Sequence, residues 1–209
     1  MDFQFKRTSG VSLIIGSLLL IATMVLHPSG GSIEHILRIS KVIVGSHSLA
    51  ILCLPFIGFG FYGISQALQT PGRVATLAFM MAALGLVAAM IAGAINGLTL
   101  PLFLSHSTEA IQSQPELVQS IVRYGTAINH PMDYVFIVAI LLAMGIWSVL
   151  ILRTAVFPKW VGYLGIVFLV LVVIGLVMRF NFIDLTGFRI FIFGLLSWIV
   201  SMGMLMMRR

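Results

Sequence analysis

The chain has 209 residues, of which 60% are hydrophobic and only 9% charged, with a mean hydropathy of +1.13. A soluble domain of this length carries about a quarter charged residues because its surface faces water, so a soluble globular protein is excluded and most of the surface must meet lipid. The net charge of +6 is not a nucleic-acid signature: Lys and Arg stand singly or in pairs at the ends of apolar runs, and no basic stripe is long enough to follow a phosphate backbone. Membrane lipids are therefore the expected partners, together with a packing partner or a second copy of the chain, and nucleic acid is not. The one cysteine, Cys53, lies within an apolar run, which excludes an internal disulfide and a CxxC pair and fits a small buried hydrophobe.

In chain order the apolar runs predict an all-α polytopic bundle of six membrane-spanning helices with short loops, a single domain over residues 1–209. The first span, about residues 11–27, follows Lys6 and Arg7 and has no small-residue cleavage site behind it, so it reads as a retained helix rather than a signal peptide. A second run, about 42–68, would be ~40 Å long as a helix. That exceeds the hydrocarbon layer of about 30 Å, and Pro55, with Gly58, Gly60 and Gly63 after it, marks the expected bend. Gln69–Arg73 reads as a tight turn. The third span, about 74–98, carries Ala89, Gly93 and Gly97 at steps of four, a ridge of small residues for close helix approach, and Asn96 and Pro101 mark its exit.

A polar interval follows, in which Pro115 to Arg123 reads as a short surface helix. Asn129, His130 and Pro131 then open the fourth span, about 131–152, with Asn129 or His130 at the cap and Pro131 in the first turn. Lys159 and Trp160 anchor the fifth, about 161–178, and the sixth, about 190–207, stops at Arg208 and Arg209. Ile33 to Lys41, between the first two spans, reads as a short amphipathic helix on the membrane.

With six spans, the side that holds both termini carries Lys6, Arg7, Arg73, Arg153, Lys159, Arg208 and Arg209. The other side carries Arg38, Lys41, Arg123, Arg179 and Arg189. Seven basic residues against five place both termini in the cytoplasm. All five histidines, His27, His35, His47, His106 and His130, then fall on the outer side or in the outer leaflet.

Asp133 is one turn beyond His130 in HPMDYVF, and an acid at that depth needs a partner, hydration or an interior position. Together His27, His47 and His130 supply three imidazoles from spans one, two and four, with Asp133 to orient an imidazole or act as general base. Such a set can hold zinc or copper, or offer two histidines to a haem. The spacing is not diagnostic, since no HExxH motif is present, and a carboxylate stabilised in the first turn of a helix explains Asp133 equally well. Near the middle of the membrane ionisable groups are almost absent, which disfavours ion-coupled transport.

The fifth-span segment FPKWVGYLGIVFLV, Phe157 to Val170, resembles uncharacterised bacterial multi-pass membrane proteins of the domain-of-unknown-function 4386 type. That resemblance implies a bacterial plasma (inner) membrane protein and carries over no functional residue. From the sequence, then, the leading expectation is a non-enzymatic accessory or small-ligand-binding membrane protein. The alternatives are a haem- or copper-binding redox protein and a zinc-dependent outer-leaflet lipid hydrolase with His27, His47 and His130 as metal ligands and Asp133 as catalytic base.

Overall fold

The structure is a computed structural model, and it describes residues 2–69 and 73–208. In the described residues all regular structure is helical: α1 (Phe3–Leu26), α2 (Ile33–Arg38), α3 (Ser40–Ala67), α4 (Val74–Gly93), a π-helical segment (Ala94–Thr99), α5 (Leu100–His106), α6 (Thr108–Ser113), α7 (Pro115–Arg153), α8 (Lys159–Val177) and α9 (Leu185–Met207). Six helical stretches are long and apolar enough to cross a membrane: α1, α3, α4 continued through α5, α7, α8 and α9. The chain is thus an all-α polytopic bundle. The turn expected at Gln69–Arg73 has its centre, residues 70–72, outside the described residues, as is Arg209; Arg73 itself has a left-handed backbone, φ 56°.

Four boundaries differ from the sequence reading, the first being α1, which starts at Phe3 rather than at about residue 11. Pro131 does not open a helix: α7 runs unbroken through it for 39 residues, ~58 Å of helix, so the expected surface helix at Pro115 and the fourth span are one element. Proline removes only its own N–H and its bond to Ala127 four residues back, and helix lies on both sides of that gap. Similarly, Asn96 and Pro101 do not end the third span, which continues through the π segment into α5. And α9 begins at Leu185, earlier than expected, because the Asp184 carboxylate accepts the Gly187 N–H at 2.6 Å and caps it.

Glycines set the contact between α1 and α3. A Cβ on Gly60 would overlap Leu13, and one on Gly63 would overlap Ser9, so these residues serve close approach of α1 beyond any bend at Pro55. In the third span, Gly97 packs on the ring of His47, whereas a Cβ on Gly93 would find ordinary contact with Ile51 at 3.6 Å.

At the end of the bundle holding the α3–α4 turn, two indoles tie five helices together. Trp147 of α7 donates to the Ser65 hydroxyl of α3 at 2.9 Å, and Ser65 donates to the Ala75 carbonyl of α4 at 2.8 Å. Trp198 of α9 stacks on Trp147 with 5.9 Å between ring centres and donates to the Val161 carbonyl of α8 at 3.1 Å. At the opposite end a smaller apolar cluster of Ile36, Ile43, Leu104 and Val118 joins α2, α3, α5 and α7. The α2 segment expected to lie on the membrane thus buries Ile36 against the bundle.

Ser65→Ala would leave the buried Trp147 N–H without an acceptor, which costs about 1–3 kcal/mol. Reversible unfolding in detergent should show a loss of that size; unchanged stability would mean that the relay is incidental to folding.

Candidate functional site

Between the small cluster and the indole pair lies a partly open cavity of about 280 Å³, walled by α1, α3, α4, α7 and α9. It lies just below the range of sites for drug-sized molecules, about 300–1,000 Å³. On α3 its lining runs from His47 to Phe61 and on α9 from Leu185 to Ile199, ~20 Å along each helix. The lining is thus elongated along the bundle axis.

The lining is sorted along the axis. Deep in the bundle it is apolar, with Ile57, Phe61, Phe136, Ile140 and Ile199, and at the other end stand His27, His47, Asn96, Asn129 and Asp133. Cys53 also lines it; the thiol is buried and donates to the Ala50 carbonyl at 2.9 Å. Each polar group arrives by a local feature of its helix. His27 is the C-cap of α1. His47, two turns into α3, is seated against Gly97, where only a glycine leaves room for the ring. Asn96 sits in the π segment, a form of helix frequent at functional sites. Asn129 and Asp133 lie four residues apart on one face of α7, the Asn129 amide Nδ2 donating to the carboxylate at 2.7 Å.

The histidines form a pair rather than a triad. Rings of His27 and His47 stand 4.7 Å apart, inclined at 51°. His130 is exposed and absent from the cavity wall, because each residue turns the helix by about 100° and Asn129 takes the inward direction. Among the described residues no three His, Cys, Asp or Glu side chains are grouped so that they could hold a metal ion. The expected set of His27, His47 and His130 is therefore not assembled. Nor does the pair bracket a haem as placed: two imidazoles bonded at about 2 Å to opposite faces of one iron have ring centres ~6 Å apart. Asp133 lines the cavity as the sequence suggested for an interior acid, but the bond it makes is to Asn129.

Hydrogen bonds fix the imidazole tautomers. The Nδ1 of His47 lies 2.8 Å from the Ile43 carbonyl and that of His27 lies 3.0 Å from the Pro28 carbonyl. A carbonyl can only accept, so both Nδ1 atoms carry the proton and each neutral ring keeps a lone pair on Nε2. Burial, the neighbouring His47 ring and the Arg189 guanidinium hold the His27 pKa down at about 4 against the opposing bond to Pro28. Arg189 donates to the His27 carbonyl at 2.9 Å.

Asn129 and Asn96, which the sequence reading treated as boundary markers, are the site residues it missed. The signal for Asn129 was its spacing of four from Asp133; nothing in the sequence points to a π segment at Asn96. Asn129 is 5% exposed, and its Oδ1 is buried without a hydrogen-bond partner.

Comparisons of the chain with protein-family models, with curated proteins and with solved structures find no match.

A histidine whose folded pKa is depressed binds fewer protons in the native than in the unfolded state between the two pKa values. Stability conferred by neutral His27 is thus complete above about pH 6.5 and is lost as pH falls toward about 4. Imidazole NMR should show His27 neutral at pH 5.5; a ring that titrates near its ordinary value would contradict the buried placement.

Proposed function

We propose that this multi-pass membrane protein is a non-enzymatic binder that holds one small amphipathic molecule inside its bundle. The observation that carries the reading is the cavity itself, apolar over most of its length and polar at one end. An amphiphile taken from the surrounding bilayer matches that division, since its chain meets Phe61, Phe136 and Ile199 while its head stays with His27, His47 and Asp133. Binding is supported by what the polar groups leave over for a ligand: both Nδ1 atoms are bonded to backbone carbonyls, so each Nε2 stays free to accept, and the bond to Asp133 comes from Asn129.

We place the protein in a bacterial plasma membrane, with the indole end in the cytoplasm and the histidine end outside. The larger share of Lys and Arg at the ends of the spans nearest the indoles supports that orientation, and the polar collar then faces the outer leaflet. The segment Phe157 to Val170 forms the entry and first turns of α8, a helix that contributes nothing to the cavity lining.

The three tryptophans offer a readout. Trp147 and Trp198 are buried, Trp147 with its ring centre 5.1 Å from that of Phe61 at the deep end of the cavity, whereas Trp160 is exposed. In a Trp160→Phe background, in phosphatidylcholine nanodiscs, a terminally brominated decanol should quench the remaining emission saturably. Ala50→Phe, which fills the cavity from α3, should abolish the saturable part. No saturable quenching, or quenching unaffected by Ala50→Phe, would overturn the reading.

A further inference from the structure

Given that reading, on which this one rests, we infer that the cavity selects an amphiphile whose head donates hydrogen bonds, a hydroxyl or an amine on one hydrocarbon chain, and discriminates against carboxylate and phosphate heads. The selection follows from which edges of the collar are already engaged. His27 and His47 spend their Nδ1 protons on the Pro28 and Ile43 carbonyls, which leaves Nε2 of each as an acceptor. Two imidazolium rings 4.7 Å apart would repel, which favours keeping the pair from charging together. Asn129 commits its Nδ2 to the Asp133 carboxylate. That carboxylate, when ionised, can only accept, so the assignment of the Asn129 amide is fixed and Oδ1 is its remaining edge. This oxygen is one of the buried polar atoms with no partner among the described residues, and buried acceptors in native proteins almost always have one.

The collar of the cavity is therefore rich in acceptors: two imidazole nitrogens and the Asp133 carboxylate, with the Asn129 oxygen buried behind them. Asn96 can present either edge of its amide. The nearby cation, Arg189, donates through Nη2 to the His27 carbonyl, keeps a buried Nε without a partner among the described residues, and does not line the cavity. An anionic head would bring more lone pairs and a like charge to this collar, and beside buried, desolvated groups that mismatch is costly. A hydroxyl or ammonium head supplies what the collar lacks. The apolar lining, extended over ~20 Å, matches a single hydrocarbon chain for the rest of the molecule.

Displacement of the brominated probe tests the inference with a matched series in the same nanodiscs at neutral pH: decanol, decylamine, decanoate and decyl phosphate. Decanol, decylamine or both should restore tryptophan emission at concentrations at least about tenfold lower than either acid, the difference of one or two hydrogen bonds. A hydroxyl preference and an amine preference both support the donor rule and identify which head the collar favours. His47→Phe keeps a ring against Gly97 while removing Nε2, and Asn129→Leu removes Oδ1; each should reduce the preference several-fold and weaken the hydroxyl-headed probe in step with decanol. If Asn129→Leu does not fold, His47→Phe alone decides. Equal displacement by all four, or stronger displacement by the acids, would overturn the donor rule and leave chain binding standing. Displacement by none, with no saturable probe binding, would remove both.

Discussion

Every hydrogen-bonding group that this bundle buries must find its partner within the protein, because the hydrocarbon outside offers none. The arrangement of the helices answers to that constraint. Two indole N–H groups, too large to leave at the lipid face and too polar to leave unpaired, converge on Ser65 and on the Val161 carbonyl. Satisfying them draws α3, α4, α7, α8 and α9 to common points. At Asn129, whose Oδ1 is one of the buried groups left without a partner, the bundle adjoins a space not filled by its own side chains.

Close packing and open space are divided along the bundle axis. Around the indoles the small residues bring backbones together: a Cβ on Gly10 would lie 2.7 Å from the Gly203 carbonyl oxygen, and one on Gly162 would lie 3.0 Å from that of Ser148. Dispersion contacts made possible by such approach are what hold apolar helices together in lipid, where there is no hydrophobic gain from burying one against another. Toward the histidine end the tight contact of Gly97 with His47 serves a different purpose. It fixes an imidazole in the wall of the cavity, next to the π segment that brings in Asn96.

The six spans were legible in the sequence because hydropathy over a membrane thickness is a long, redundant signal. Ends of helices were less legible, and for reasons visible in particular residues. Pro131 reads as a first-turn proline by local preference, but tertiary packing of α7 on α4 and the bond from Asn129 to Asp133 continue the helix on both sides of it. His27 and His47 could be assigned to one end of the bundle from the order of the spans alone, whereas their approach to 4.7 Å depends on the α1–α3 contact made through Gly60 and Gly63. His130 misled because it shares a sequence neighbourhood with Asp133; on the helix it is Asn129, four residues from Asp133, that turns inward. The cavity itself could not be read from sequence, since it is set by the spacing of five helices.

The central claim, that the cavity is occupied by one amphiphile from the membrane, is tested most directly by native mass spectrometry of the protein released from the membranes in which it was made. The account predicts one retained molecule per chain, bearing a single hydrocarbon chain and a hydroxyl or amine head, and its loss from Ala50→Phe with the fold intact. A wild-type protein that flies with no bound molecule under conditions that preserve its fold, or one whose bound lipid is unchanged in Ala50→Phe, would contradict it.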